Sequence, residues 1–208
     1  MEIGVKLGWR MTAIVVAACG LGLAAPASAQ FSSGYKFLEA VRKKDGTEVT
    51  DMLSAPGSTI VNTRDVSSGD SAMHIVVARR DVTWIRFLAA KGGNVNARNN
   101  KGETPLQLAS NLGFVEGVEA LLQLGAKVDE ANSTGETPLI AATHRKDSAM
   151  ARVLLKAGAN PKRNDNSGRS AYDYAMLDGR SNPVLTEIEN AAKAAAAKPK
   201  AAVYGPKF

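Results

Sequence analysis

The sequence predicts an all-α fold, a solenoid of about five helix-turn-helix units with β-turn fingers. The first observation is an internal period, because five registers of similar residues recur every 33 positions. The second is that each period carries the signals of two helices. The registers are Gly69, Gly102, Gly135 and Gly168; Ser71, Thr104, Thr137 and Ser170; Met73, Leu106, Leu139 and Tyr172; Gly92, Gly125 and Gly158; and Leu88, Leu121 and Leu154.

The length and composition fit one soluble domain. A chain of 208 residues, 45% of them hydrophobic, can bury a single core and leaves little room for a second domain. The 26 Lys and Arg side chains exceed the 20 Asp and Glu side chains, which gives a formal net charge of +6. A modest attraction toward acidic surfaces is therefore expected.

Residues 1–29 have the features of a secretory signal peptide. Two basic residues precede an apolar run over residues 11–25, and the Ala-Ser-Ala sequence at 27–29 fits the A-x-A cleavage pattern. The run is too short and too rich in glycine for a comfortable membrane span. We expect cleavage after Ala29 and export to the periplasm, where the mature chain, having lost its one cysteine, has no disulfide to form.

Two other interpretations of the leader stay open. An uncleaved leader would tether the protein to the membrane. Residues 16–19 resemble a lipoprotein processing box, which would leave a lipidated Cys19 at the new N terminus. A membrane is expected as a partner only in these two cases.

The repeat domain is expected over residues 30–191 and begins with an atypical unit at about 35–65. Residues 37–43 show an apolar helical pattern but lack the Thr-Pro turn of the later units. Pro56 and Gly57 mark a loop that holds about one extra residue. Because a terminal unit of a solenoid needs one solvated face, we interpret this unit as the N-terminal cap.

Three regular repeats follow the N-terminal cap. In the second repeat, Thr104 is expected to cap an inner helix that has Pro105 at its first position. Gly113 ends this helix, and apolar residues at helical spacing over 115–122 predict an outer helix. Gly125 can adopt the left-handed conformation that ends the outer helix. The three repeats span about 66–98, 99–131 and 132–164.

The last unit, at about 165–191, is interpreted as the C-terminal cap. Residues 168–175 keep the pattern of an inner helix, and an irregular second helix is expected from Asn182 onward. Beyond Ala191 the composition is dominated by alanine, lysine and proline. A brief extension of the last helix over residues 191–197, stopped by Pro199, is the alternative that stays open. We expect residues 192–208 to be a disordered tail, because so short a stretch of low complexity has no core to join.

The turn, the two helices and the 33-residue period resemble the ankyrin repeat. The resemblance is carried by Thr104-Pro105-Leu106 and Thr137-Pro138-Leu139, by the outer-helix endings at 121–126 and 153–159, and by the linker at 93–97. With the leader, the chain is similar to an exported bacterial ankyrin-repeat protein. The resemblance implies a scaffold that binds a protein partner and carries no chemistry of its own, and it assigns His74 a structural role.

The resemblance also implies where a partner would bind. Ankyrin proteins use the tips of their turns and the exposed ends of their inner helices, which line a concave face. Carried onto this sequence, the turn tips are Ser67, Ser68, Asp70, Asn100, Lys101, Glu103, Ser133, Thr134, Glu136, Asn166, Ser167 and Arg169. The ends of the inner helices are Ala78, Arg79, Asn111, Leu112, His144, Arg145, Leu177 and Asp178.

Two basic pairs occupy the same place in the first and third repeats, at Arg79-Arg80 and Arg145-Lys146. One interpretation is that they face an acidic protein partner and orient it. The other is that they only stabilise the C-terminal ends of their helices through the helix dipole. The sequence favours neither interpretation over the other.

The residues that carry chemistry are sparse. The chain has two histidines, and neither has a second metal ligand three or four residues away. The sequence contains no G-x-S-x-G turn, and Gly92-Gly93 ends a helix rather than opening a phosphate loop. We therefore expect no enzymatic activity, no cofactor, no metal and no small-molecule substrate.

Nucleic acid is not an expected partner. The charge excess is small, export would remove the usual nucleic acids, and basic residues do not interleave with aromatic ones as in a stacking platform. The expected function is thus a periplasmic scaffold for one protein partner. The alternative is a structural or membrane-tethered envelope component without a dedicated soluble partner.

Overall fold

The computed structural model describes residues 32–55 and 57–197. The predicted leader, its cleavage site and Cys19 lie outside the described residues. The described part of the chain is helical, with two short 3-10 turns at Ile60–Asn62 and Gly179–Ser181. The helices are α1 (Ser33–Lys43), α2 (Gly46–Leu53), α3 (Ala72–Ala78), α4 (Val82–Ala90), α5 (Pro105–Asn111), α6 (Val115–Gln123), α7 (Pro138–His144), α8 (Ser148–Lys156), α9 (Ala171–Asp178) and α10 (Pro183–Ala197).

The helices form five antiparallel pairs that pack side by side in two rows. Helices α1, α3, α5, α7 and α9 form the inner row, and each contacts the next. Helices α4, α6, α8 and α10 form the outer row in the same way, while α2 packs on α1. Isolated antiparallel bridges close the bases of the first and last fingers, between Arg64 and Ser71 and between Asn164 and Ser170. The predicted all-α repeat solenoid is confirmed.

Side-chain caps begin both kinds of helix. The Thr104 and Thr137 hydroxyls accept hydrogen bonds from backbone N–H groups three residues later, both at 3.2 Å, and a proline follows each threonine as predicted. The outer helices α4 and α8 begin at aspartates, Asp81 and Asp147, whose carboxylates accept the equivalent bond at 3.1 and 3.0 Å. These caps satisfy N–H groups that have no partner inside the helix.

In the four units after the N-terminal cap, a residue with a positive φ joins the inner helix to its outer helix. The positions lie 33 residues apart at Arg80, Gly113, Lys146 and Gly179, and all have a φ between 54° and 63°. Arg80 and Lys146 hold this conformation without being glycine, which is uncommon for residues with a side chain. The tight turn is therefore imposed by the packing of the two helices on each other.

The core runs through all five units as one cluster from Phe37 to Ile188. The leucines that define the 33-residue registers are fully buried, Leu106 and Leu139 in the inner row and Leu121 and Leu154 in the outer row. Burying one such side chain stabilises the fold by about 1.5 to 3 kcal/mol. No single pair of helices can hide these residues alone, so stacking is what makes the units stable.

The C-terminal unit is longer and more regular than predicted. Helix α10 continues through residues 192–197, the first part of the segment expected to be a disordered tail. The Asn182 side chain starts the helix, because its oxygen accepts from the Val184 N–H at 3.1 Å while its amide donates to the Thr143 carbonyl at 3.2 Å. Arg152 on α8 also pairs with Glu187 at 2.6 Å. Residues 198–208 lie outside the described part.

Of the helices that the structure describes, none combines the length and the apolar character needed to cross a membrane.

Candidate protein-interaction groove

The fingers and the inner helices form the two sides of one groove. Each finger is a tight turn whose first residue donates its N–H to the carbonyl of its last residue. The inner helix begins directly after the finger, so its exposed side faces the finger of its own unit. The four fingers are 65–70, 99–103, 132–136 and 165–169, and their closing N···O distances are 2.8, 3.0, 3.0 and 2.9 Å.

An Asp or Asn side chain holds each finger from within. In the second finger, the Asn99 Oδ1 accepts from the Lys101 and Glu103 N–H groups, both at 3.0 Å. In the fourth, desolvation opposes ionisation of Asp165, but hydrogen bonds from Ser167 and Tyr174 prevail and lower the pKa of its carboxyl group to about 2. The carboxylates that shape the fingers are thus ionised at neutral pH.

Backbone hydrogen bonds also connect each finger to the next. The Asn100 N–H donates to the Ser68 carbonyl at 2.9 Å, and the Ser133 N–H donates to the Lys101 carbonyl at 3.0 Å. The third connection runs from the Asn166 N–H to a carbonyl of the preceding finger. The fingers therefore form a continuous wall, so that side chains on neighbouring units keep a fixed spacing.

His74 links a finger to the next unit. Its Nδ1 lies 3.2 Å from the Ser71 N–H, and its Nε2 lies 3.0 Å from the Glu103 carbonyl oxygen. Burial lowers the pKa of the His74 imidazole, which keeps the ring neutral and able to accept at Nδ1 while it donates at Nε2. This arrangement confirms the structural role expected from the resemblance.

The equivalent position in the second repeat is Gln107, 33 residues later. Its side chain is fully buried, and neither its amide nitrogen nor its amide oxygen has a hydrogen-bond partner. A buried amide without partners destabilises a fold. The second repeat also lacks the hydrogen-bonded link to the next unit that His74 supplies in the first repeat.

The predicted finger residues lie along the groove wall. Eight of them are exposed and four are half-buried. The exposed ones are Ser67, Asn100, Lys101, Ser133, Thr134, Asn166, Ser167 and Arg169, and the half-buried ones are Ser68, Asp70, Glu103 and Glu136. Asn111 and His144 of the inner helices face this wall, since Asn111 bonds to Glu103 at 3.1 Å and His144 lies 3.4 Å from Glu136.

Two of the predicted helix-end residues have internal contacts instead of an open surface. The Arg79 side chain is only 16% exposed; it donates to the Val41 carbonyl, pairs with Asp81 at 3.3 Å and lies 4.8 Å from the Trp84 ring centre. Leu112 is half-buried and packs against the hydrophobic core.

Another predicted helix-end residue, Arg145, is exposed but also lies against its neighbouring unit. Its guanidinium donates to the Asn111 carbonyl at 3.3 Å and covers Gly113. Arg80 makes a similar contact with the Leu112 carbonyl. The arginines of the two basic pairs thus bind carbonyl groups at the C-terminal ends of neighbouring inner helices. Basic side chains in this position stabilise a helix end, because they satisfy carbonyl groups that have no partner inside the helix.

The floor of the groove contains three residues that the sequence analysis did not assign to the site. Ile75, Leu108 and Tyr174 are half-buried and occur at one register of the inner helices. Leu177, a predicted helix-end residue one turn beyond Tyr174, is 70% exposed. The sequence does mark these positions, because 75, 108 and 174 share the 33-residue spacing. The spacing alone, however, does not distinguish a core position from a groove position.

Two depressions mark the ends of the groove. The N-terminal one has a volume of about 530 Å³, with Ile75 and Leu108 on its floor and Asp70 and Glu103 on its wall. The C-terminal one, of about 510 Å³, is lined by residues that include Glu136, His144, Asp165 and Tyr174.

A polar aromatic cluster shapes the C-terminal depression. The His144 and Tyr174 rings meet edge to face at a centroid distance of 4.5 Å, and the Tyr174 hydroxyl donates to Asp165 at 2.7 Å. Tyrosine and histidine rings fixed in this way present both an apolar face and hydrogen-bonding groups. Such side chains are suited to contact with the surface of another protein. Within the part of the chain that the structure describes, no group of three or more His, Cys, Asp or Glu side chains could hold a metal ion.

Comparison with protein families gives two matches. The family model for ankyrin repeats (3 copies) matches residues 37–132, and the model for a single ankyrin repeat matches residues 134–166. Together the matches cover more than half of the chain.

Proposed function

We propose, from the premise that this chain belongs to the ankyrin-repeat family, that it is a scaffold that binds one protein partner in its groove. Ankyrin repeats generally mediate protein–protein interactions. We assign the groove to binding and give it no catalytic step. The proposed contact residues are the finger residues together with Asn111, His144 and the floor residues Tyr174 and Leu177.

The exposure of Leu177 is the observation that carries this proposal. A leucine that is 70% exposed contributes little to folding, and it lies on the inner row beside the half-buried Tyr174. Aromatic and apolar side chains surrounded by polar ones are typical of residues that dominate binding energy. The groove has both apolar and polar side chains along its length.

We further propose that the protein acts in the periplasm. The support is the leader pattern of residues 1–29 and the single cysteine, Cys19, which lies inside the leader. Cell fractionation followed by N-terminal sequencing tests this. A periplasmic chain beginning at Gln30 supports it; a chain that keeps its leader or begins at a lipidated Cys19 favours the membrane-tethered alternative.

Partner capture tests the groove. The full chain, tagged at its C terminus and expressed in its own host with its own leader, is used as bait in parallel with a variant carrying Asn111→Ala, His144→Ala and Leu177→Ala. These positions are fully or partly exposed on the inner row, so the fold should survive. We expect the variant to lose most of the captured partner.

A matched control changes three exposed residues of the outer row. The control variant carries Thr83→Ala, Glu116→Ala and Glu119→Ala, and it should capture the partner as the unaltered chain does. If the two variants capture the partner equally well, the groove is not the binding surface.

A further inference from the structure

Three finger carboxylates form a row along the groove. Asp70, Glu103 and Glu136 occur 33 residues apart, each directly before the residue that caps an inner helix, and all three are half-buried. Since the fingers are joined to one another, the three carboxylates lie on one wall and face the same groove.

Neutral donors hold these carboxylates in place. The Asn99 side chain donates to Asp70 at 3.0 Å, the Asn111 side chain donates to Glu103 at 3.1 Å, and Asn132 donates to Glu136 at 3.2 Å. In the described part of the chain, neither Asp70 nor Glu103 forms an ion pair with a lysine or arginine, and the ionic neighbour of Glu136 is His144. The row therefore keeps its negative charge.

The arginines close to the N-terminal fingers are engaged elsewhere. Arg42 bonds to Glu39 at 2.8 Å and to Asp65 at 2.7 Å. Arg64 donates to the Gly69 carbonyl at 2.9 Å, and Arg98 pairs with Glu130. Lys101, exposed at a finger tip, is the cation that remains on this stretch of the wall. The chain carries a net charge of +6, yet the wall of its groove is acidic over three successive units.

An apolar floor runs beside the acidic row. Ile75 and Leu108 line the N-terminal depression together with Asp70 and Glu103. At the other end, Tyr174 lines the C-terminal depression and Leu177 lies one helical turn away. The surface thus combines a negatively charged wall with apolar positions at repeat spacing.

We propose that the groove binds a basic segment of a protein partner, with its lysine or arginine side chains on Asp70, Glu103 and Glu136 and its apolar side chains on the floor. This inference rests on the proposed function and names the chemistry of the partner. It replaces the expectation of an acidic partner, since the arginines on which that expectation depended have internal contacts.

The stacking distance sets the spacing of the cations. Packed helices lie about 8 to 10 Å apart, so successive carboxylates recur at about that distance. A polyproline II segment advances about 9 Å in three residues, and its residues i and i+3 share one face. The best-matched segment therefore carries a basic residue at every third position. The fourth position of the row is Arg169, which gives the segment a preferred direction.

A pair of synthetic peptides tests this inference. One probe has lysine at every third position with proline and leucine between, and the other has glutamate in place of each lysine. Binding to the purified full chain is measured by fluorescence anisotropy at low and at high salt. We expect the lysine peptide to bind at least about tenfold more tightly than the glutamate peptide, and the difference to shrink at high salt.

Two variants of equal net charge locate the binding site. The groove variant carries Asp70→Asn, Glu103→Gln and Glu136→Gln, and the control variant carries Glu116→Gln, Glu119→Gln and Glu189→Gln on exposed outer helices. The groove variant should lose about tenfold in affinity for the lysine peptide, and the control should stay within about twofold of the unaltered chain. Thermal unfolding checks that both variants are folded.

The outcomes separate this inference from the proposed function. Equal losses in the two variants, or a preference for the glutamate peptide, overturn the basic-segment inference. If the natural partner is lost with the Asn111, His144 and Leu177 changes but not with the three carboxylates, the groove binds a protein of different chemistry. If neither set of changes affects capture, the proposed function fails as well.

Discussion

At the scale of single residues, one position of the repeat shows how the units differ. His74 accepts from Ser71 and donates to the Glu103 carbonyl of the next unit, whereas Gln107 at the equivalent place leaves both amide atoms without a partner. The same backbone surrounds both side chains. Only the imidazole places an acceptor and a donor on opposite sides of a rigid ring.

Replacing Gln107 by histidine should therefore stabilise the protein. The change restores a hydrogen bond toward the next finger and removes a buried amide without partners, so the free energy of unfolding should rise by about 1 kcal/mol. Urea unfolding at neutral pH measures it. A Gln123→His change at an exposed position of α6 serves as the control and should leave the stability nearly unchanged. A destabilised Gln107→His variant would contradict the equivalence of the two positions.

The His74 link also makes stability depend on pH. The unfolded imidazole has a pKa near 6.5, and burial lowers the pKa of His74 in the folded protein. Its stabilising contribution is therefore complete above about pH 6.5 and is lost as the pH falls through the lowered folded pKa, because protonation removes the Nδ1 acceptor.

Urea unfolding between pH 7.5 and pH 5 checks this expectation. The unaltered chain should lose stability over this range, and a His74→Gln variant should lose less. Since His144 is present in both proteins, the difference between them isolates His74. Identical pH profiles for the two proteins would show that His74 does not titrate on unfolding.

At the scale of elements, the fingers depend on close approach to their neighbours. The N–H of the second residue of each later finger bonds to the preceding finger, which brings the backbones of two units together. Gly135 lies at such a contact: it has a φ of 80°, and a Cβ there would lie 2.6 Å from the Asn166 nitrogen and 2.9 Å from the Asp165 Cα. Both its conformation and its surroundings favour glycine.

A Gly135→Ala change should thus lower the free energy of unfolding by more than a matched change at Gly158. Gly158 also has a positive φ, 94°, but nothing lies within 4 Å of its Cβ position. Its replacement by alanine should cost about 1 kcal/mol for the backbone conformation alone, and Gly135→Ala should cost about 1 to 3 kcal/mol more. Thermal or urea unfolding compares the two. Equal losses would show that the fingers can separate without penalty.

The sequence predicted the elements well where a local signal marks them. The Thr-Pro pairs marked the starts of α5 and α7, and the 33-residue registers identified the buried leucines. Helix α10 was predicted less well, because alanine-rich composition suggests low complexity, while its helix is held by Val184 and Ile188 in the core and by Glu187 against α8. Such support comes from tertiary packing and has no local signature.

The candidate site was predicted in part for the same reason. The finger residues follow from the resemblance to the ankyrin repeat, which implies that a partner contacts the turn tips. Arg79 and Leu112 were placed on the surface because their register is exposed in a generic repeat. Arg79 instead lies between the Val41 carbonyl of α1 and Trp84 of the outer helix α4. Tyr174 was missed because an aromatic residue at helical spacing has the sequence pattern of a buried core residue. The direction of a side chain depends on the neighbouring unit, which the period does not describe.

At the scale of the whole molecule, the net charge and the groove have opposite signs. The basic residues bind carbonyl groups and surface carboxylates, whereas Asp70, Glu103 and Glu136 keep their charge on the finger wall. The overall charge affects solubility and the rate of encounter, whereas charged groups at an interface contribute to specificity. The net charge of the chain is therefore a poor guide to the charge along the finger wall.

Hydrogen exchange of the full chain, with and without its captured partner, tests most directly whether the groove is the binding surface. Partner binding should slow the exchange of amides in the fingers 99–103, 132–136 and 165–169 and in the inner helices α5, α7 and α9, and should leave the outer helices α4 and α6 unchanged. Protection confined to the outer helices, with the fingers exchanging as in the free chain, would contradict a groove that binds proteins.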